Sequence, residues 1–307
     1  MGWERPAVQI GSPRSKLNSK LNRDQLNRDS AYLFPINRRC PYLTLMLILV
    51  SNDDGVQSPG IRLLADALRC MGDVYIIAPD RERSAASHAL TLHKPLRLDN
   101  LGNNIYAVNG TPTDCINLGV NGLLHRKPDL VVSGINRGGN LGDDVTYSGT
   151  VSAAFEGTLL GIPSFAISQV AESDYKFETA AGFALQLALM IKEKSLPPGV
   201  LLNVNVPNLD VARIRGIRIT RQGKRIYDEN AIVEKVDPRG KKYYWIGGSR
   251  LSWEDTEDSD FSAIEDGMIS ITPLRLDLTE FNAINGLRNW ESVLGERIRK
   301  SPPSPLR

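Results

Sequence analysis

The chain has 307 residues and a formal charge of +2, so it is long enough to bury a core without disulfide staples and too nearly neutral to point to a nucleic-acid or membrane surface. Its three cysteines, Cys40, Cys70 and Cys115, stand in no CxxC spacing and beside no histidine, which suggests neither a zinc site nor a disulfide framework and fits a reducing cytoplasm. The longest apolar run, Leu45 to Val50, is far shorter than the roughly 20 residues of a membrane helix.

Residues 1–45 are polar, rich in Arg, Asn and Ser, and lack a sustained apolar period; they read as a disordered extension. Glu4, Asp24 and Asp29 weigh against a transit peptide. A short apolar strand then runs from Leu47 to Val50. Ser58 before Pro59 reads as a helix N-cap with proline at the first helical position, and Ile61, Leu64 and Leu68 supply the apolar stripe. Gly72 closes that helix and "DVYIIAPD" forms the next buried strand, a strand–helix–strand unit that crosses over right-handed in a parallel sheet.

The rhythm repeats. "NIYAVNG" reads as a strand, "TPTDCINLGVNGLL" as a helix with Thr111 and Asp114 in capping-box spacing, and "PDLVVSG" as a further buried strand. "GTVSAAFEGTLLG" is a helix, "PSFAISQ" a strand, "YKFETAAGFALQLALMIKEK" a long helix and "GVLLNVNVP" a strand. The expected architecture is α/β: a doubly wound, Rossmann-like, mostly parallel sheet. After about residue 210 the pattern changes to strand-like pieces, "IRGIRITRQ" and "KKYYWIGG", separated by a charged stretch with the turn signal "DPRG". This predicts a C-terminal β-hairpin arm within residues 210–260 that packs on a partner chain. Residues 287–307 read as a tail, with "SPPSPLR" disordered.

In open α/β sheets ligands bind beyond the carboxyl ends of the strands, so the loops that follow strands carry the chemistry. "NDDG", residues 52–55, sets Asp53 beside Asp54 at the mouth of a buried strand, where like charges repel. A hard divalent cation such as Mg²⁺ or Mn²⁺, which prefers oxygen ligands, makes the pair tolerable, with Gly55 allowing the turn; an Asx-turn leading into the next helix is the other reading. "SGINRGGNLG" places Asn136 just past a strand and Asn140 in the same loop, and "TYSGT" places Ser148, Gly149 and Thr150 at a helix start, where free N–H groups favour an anion. Taken alone, Ser84, Ser87, Arg81 and Arg83 read as ordinary loop hydroxyls and solvated charges. His88 lies in the same loop and is a candidate for assisting proton transfer. No P-loop, G-x-G-x-x-G after the first strand, or G-x-S-x-G elbow is present.

Together, "LVSNDDGVQSPGI", "APDRERSAAS", "GTPTDC", "PDLVVSGINRGGNLGDDVTYSGTVSAAFEG" and "ISITPLRLDLTEF" resemble the SurE family of metal-dependent 5'/3'-nucleotidases, from about Met46 to Phe281. The resemblance implies a phosphatase unit over residues 46–286 and one divalent cation, Mg²⁺ or Mn²⁺, per subunit, held by Asp53, Asp54, Ser84 and Asn136. It also implies a nucleoside monophosphate substrate and a homodimer or homotetramer with exchanged C-terminal arms. The family pattern commonly has glycine after the serine; Ala85 stands there in this chain, and its methyl group restricts the loop. The expected reaction is hydrolysis of nucleoside 5'- or 3'-monophosphates. Asp53 or Asp54 positions the water, and Asn140 and the backbone from Ser148 to Thr150 stabilise phosphoryl charge. A non-catalytic sensor of metal and nucleotide would use the same pocket.

Overall fold

The computed structural model describes residues 45–226, 232–246 and 252–300. The extension expected over 1–45 therefore lies, Leu45 apart, outside the described residues, as does "SPPSPLR".

The first strand, β1 (Met46–Ser51), is buried at every position, as a strand covered on both faces must be. It leads to α1 (Pro59–Leu68), β2 (Gly72–Pro79), β3 (Leu98–Gly102), β4 (Ile105–Val108) and α2 (Pro112–Leu118). Then follow β5 (Leu130–Arg137), α3 (Gly149–Leu159), β6 (Ser164–Val170), α4 (Phe177–Lys194) and β7 (Val200–Pro207). The C-terminal part contains β8 (Ile217–Ile219), β9 (Arg225–Ile226), β10 (Ile232–Val236), β11 (Lys242–Ile246), β12 (Ser252–Trp253), α5 (Asp260–Glu265), β13 (Ile269–Arg275), α6 (Phe281–Leu287) and α7 (Asn289–Lys300).

Nine strands form one sheet in the order β3-β4-β2-β1-β5-β6-β7-β13-β8. The run from β4 to β7 is parallel, with β3 antiparallel at one edge and β13 antiparallel to β7. Successive crossovers run outward from β1 to β2 and β4, then in the opposite direction from β5 to β6 and β7, so the topology switches between β1 and β5. There Ser51 lies opposite Ser133, and the crevice beyond the two strand ends is where this fold binds ligands.

Alternate side chains of each strand feed opposite faces. Ile48 and Val50 pack with Ile61, Leu64 and Leu68 of α1 and Ala180 and Ala184 of α4, while Leu49 packs with Cys115 and Ile116 of α2 and Ala153 of α3. The doubly wound α/β fold is thus present, with one helix pair on each face.

Four local expectations come out differently. Ser58 precedes α1, but its side chain makes no capping bond; Pro59 at the first turn carries that start. The helix expected across residues 111–124 is α2 followed by a π-helical turn at Gly119–Leu123, although the capping box is complete, with Thr111 N–H on Asp114 Oδ2 at 2.8 Å and Asp114 N–H on Thr111 Oγ1 at 3.0 Å. The arm expected over 210–260 is narrower: β8 joins the main sheet beside β13, β9 pairs with β12, and the hairpin proper is β10–β11 around the Asp237–Gly240 turn. Finally, the stretch read as a tail from residue 287 carries α7.

Candidate active site

The loop after β1 turns sharply at Gly55, whose φ is +94° and where a β-carbon would lie 3.0 Å from the Arg81 carbonyl carbon; only glycine permits this approach without strain. The turn is closed by Asn52, whose Nδ2 donates to the Gly55 carbonyl at 3.1 Å. The Asp53 and Asp54 carboxylates take their bonds from other loops, so the Asx role belongs to Asn52 and leaves both acids directed elsewhere.

Asp53 is buried, 5% exposed. Its Oδ1 accepts from the Thr150 hydroxyl, and the backbone N–H groups of Thr150 and Gly149 also bond it. Burial pushes its carboxyl up; the Thr150 hydroxyl, followed by these N–H groups, works against that. A β-carbon at Gly149 would stand 2.8 Å from Asp53 Cβ and 2.9 Å from its Oδ2. The amino end of α3 is therefore seated directly on the Asp53 carboxylate, the anion that the helix dipole favours. Ser148 caps α3, its Oγ accepting from Val151 N–H at 3.0 Å.

Asp54 is half-buried and accepts from the Arg137 N–H at 3.1 Å. Burial and then the Asp53 charge push it up to about 6, as removal from water and a neighbouring like charge both disfavour ionisation. The Arg137 bond sets Asn136, at the end of β5, next to Asp54. Asn136 Nδ2 donates to the Gly138 carbonyl at 2.9 Å, and among the described residues no donor engages its Oδ1. The loop after β2 reaches the same place: Arg83 N–H donates to the Asp53 carbonyl at 2.7 Å, which puts Ser84 one residue from that contact. Ser84 is exposed and its Oγ bonds Glu82 Oε1 at 2.7 Å.

Backbone bonds from Arg137 and Arg83 thus bring the loops that carry Asn136 and Ser84 to the loop of Asp53 and Asp54, while the Ser84 hydroxyl itself is turned to Glu82. Among the described residues, no three His, Cys, Asp or Glu side chains gather as a metal cluster. All four groups offer hard oxygen donors, and with only two of them charged they fit a cation that keeps some of its waters.

Asn140 is placed otherwise than as a free phosphate donor. Its Nδ2 donates to Ser168 Oγ at 2.7 Å, its N–H to Asn205 Oδ1 at 2.9 Å, and its carbonyl accepts from Asn203 and Asn205 at 2.8 and 3.0 Å. Asn203 and Asn205, one face of β7, went unremarked in the sequence; asparagines at period two inside a buried strand are the signal that finds them. Also unforeseen are Glu156, Asn117 and Asp260. Asp260 is fully buried and accepts from the N–H groups of Gly142 and Gly223, each at 2.8 Å, and of Phe261 at 3.0 Å. His88, a candidate for proton transfer, has its Nε2 bonded to Glu156 Oε2 at 3.0 Å.

The family model described as "Survival protein SurE" matches residues 48–229. A protein named 5'-nucleotidase SurE from Geotalea daltonii is 58% identical over 247 residues, which cover 80% of this chain and 99% of the relative. Its namesake from Geotalea uraniireducens is 57% identical with the same coverage. The crystal structure of the Sure protein from Aquifex aeolicus is 44% identical, with a TM-score of 0.73, over 80% of this chain and 99% of that one. With the family's matched span running through β1, β5 and the first turn of α3, the chain belongs to the SurE family.

Proposed function

We propose that the protein is a metal-dependent phosphomonoesterase, a 5'-nucleotidase that hydrolyses nucleoside 5'-monophosphates to nucleoside and phosphate, with 3'-monophosphates the nearest alternative substrates. The observation that carries this reading is the Asp53–Asp54 pair at the β1–β5 switch point, to which the backbone next to Asn136 and next to Ser84 is bonded. Relatives bearing the name 5'-nucleotidase at 57–58% identity support it.

Asp53, Asp54, Ser84 and Asn136 hold one divalent cation, Mg²⁺ or Mn²⁺, per subunit. When bound, such an ion polarises a phosphoryl oxygen and acidifies water near neutral pH. Asp53, fixed by Thr150 and the amino end of α3, is the rigid ligand. Asp54, half-buried and held by one backbone N–H, is the looser acid and orients the attacking water in line with the scissile P–O bond. The Ser148 hydroxyl accepts from Val151 N–H and keeps its own proton for a phosphoryl oxygen, whereas the Gly149 and Thr150 N–H groups, expected from sequence to face the phosphoryl group, are taken up by Asp53. Asn140 anchors the 137–142 loop from beneath through Ser168, Asn203 and Asn205.

Residues 46–286 make up the catalytic unit. The β10–β11 hairpin exposes Ile232, Val233, Val236, Tyr244 and Trp245, and we assign it to exchange between subunits in a homodimer or homotetramer. No described helix is long and apolar enough to cross a membrane, and the cytoplasm is the compartment we propose.

The test is phosphate release from a panel of nucleoside monophosphates with Mg²⁺, Mn²⁺ or chelator, for wild type and Asp53→Asn. Release that requires metal and is lost in the variant supports the assignment. Equal turnover by both proteins, or nucleotide binding without any release, overturns it.

A further inference from the structure

The reading above leaves one buried acid unused. Glu156, on the second turn of α3, is 5% exposed, and both its oxygens are occupied: Oε1 accepts from Asn117 Nδ2 at 2.7 Å and Oε2 lies 3.0 Å from His88 Nε2. Asn117 is itself braced by Asn121 at 3.2 Å, and the His88 ring leans on Phe155 with centroids 6.3 Å apart. A buried carboxylate is tolerated when paired and fully hydrogen-bonded, and this one spends its bonds fastening a loop to a helix.

The loop is the one that carries Ser84, and it is pinned at three points. Arg83 N–H bonds the Asp53 carbonyl, Ser87 N–H bonds the Tyr147 carbonyl at 3.2 Å, and His88 bonds Glu156. Between the pins the backbone is left-handed at two residues that carry a β-carbon, Ala85 at φ +56° and Ser87 at φ +52°. Such conformations persist when the surroundings over-determine them. Beyond His88 the chain is held separately, by Thr111 Oγ1 on the Ala89 carbonyl and Thr91 N–H on Asp114 Oδ1. Losing the His88 bond leaves the backbone pins at Arg83, Ser87 and Ala89 and removes the side-chain tie from this stretch to α3, so Ser84 is then held by one weak backbone bond on its C-terminal side before Ala89.

We propose that His88 is a positioning residue for Ser84: with Glu156 it forms a strut from α3 to the loop after β2 and holds the Ser84 hydroxyl in register with Asp53 and Asp54. The helix that meets Asp53 through Thr150 at its first turn thus sets the hydroxyl ligand through Glu156 further along. The proposal rests on the cation site described above. It also explains how this chain accommodates Ala85 where a glycine would adopt the same backbone freely.

The experiment counts Mn²⁺ bound to the full-length protein, from the electron paramagnetic resonance of free Mn²⁺, for wild type, His88→Ala, His88→Gln and Glu156→Gln, alongside the metal dependence of phosphate release. Removing a partner bonded directly to a metal ligand weakens metal affinity by roughly 10–100-fold; His88 acts one step further out, through the loop, so His88→Ala is expected at the low end, about 10-fold, with most of kcat returning at saturating metal. His88→Gln, which keeps an N–H donor at the position of Nε2, is expected to recover wild-type binding. Glu156→Gln is buried and can fail to fold, but the His88 variants sit on a half-exposed side chain and decide the matter alone. Wild-type affinity in His88→Ala, or equal loss in His88→Ala and His88→Gln, overturns the strut. A wild-type protein that binds no Mn²⁺ overturns the cation site and the strut with it.

Discussion

The hydroxyl of Thr150 donates to Asp53 Oδ1, joining residues 97 positions apart in the chain and locking the first turn of α3 to the loop after β1. Replacing Thr150 by valine keeps the shape and removes the donor. A buried acceptor left short of a bond costs about 1–3 kcal/mol, so thermal or denaturant unfolding should show a loss of that order. Phosphate release at subsaturating metal should fall by more than the stability change implies, because Asp53 loses its orientation as well. A variant with wild-type release would show that this bond serves folding alone.

Gly149 offers a sharper separation of site from fold. A β-carbon there would press on Asp53 Cβ and Oδ2 at 2.8 and 2.9 Å, and overpacking of this kind costs about 1–3 kcal/mol. Gly149→Ala is therefore expected to lose stability by that order while its Mn²⁺ affinity and turnover fall further than the lost stability accounts for, as urea unfolding, isothermal titration with Mn²⁺ and a phosphate assay would read. Normal metal binding in a folded variant would mean that Asp53 moves aside freely.

Ala85 has φ +56°, where a side chain costs on the order of 1 kcal/mol relative to glycine. Ala85→Gly should hold or raise stability, by up to about 1 kcal/mol in urea titrations, the larger unfolded-state entropy of glycine offsetting part of the gain. A clear loss would indicate that the methyl group packs usefully.

Stability should also fall in acid through Glu156. Its carboxyl is held below the usual range, first by His88 and then by Asn117 against the opposing effect of burial. The folded pKa is depressed, so the ionised form's contribution is present above the unfolded value, about 4.3, and is lost as pH falls through the lower folded value. Denaturation midpoints measured from pH 7 down to about 3 should drop less steeply in Glu156→Gln than in wild type. Parallel curves would remove Glu156 from the acid-sensitive groups.

Much of the centre of this fold was legible in the sequence because burial on both faces of a parallel sheet writes itself as short apolar runs, as in Met46–Val50 of β1, Ile76–Ala78 of β2, Leu130–Val132 of β5 and Phe165–Ile167 of β6. Asp53 and Asp54 stood out for the same reason, as charges ending a run that tolerates none. The edges left weaker traces: β3 reads Leu98-Asp99-Asn100-Leu101-Gly102, almost wholly exposed, and its polarity hides a strand that needs cover on one side only. Non-local pairings left none. Glu156 and His88 are 68 residues apart, and nothing local to either predicts the other.

Asp260 ties together two segments that sequence separates widely. One of its oxygens takes the Gly142 amide, in the turn leading to Ser148, and the other takes the Gly223 amide, at the base of the stretch that runs out to the β10–β11 hairpin. Arg225, two residues further, adds an ion pair to Asp144 at 2.5 Å. The segment that leads toward the hairpin is thereby fastened, through Asp260 and Asp144, to the turn that precedes the helix seated on Asp53. If the hairpin exchanges between subunits as proposed, replacing Asp260 would disturb assembly and turnover at once.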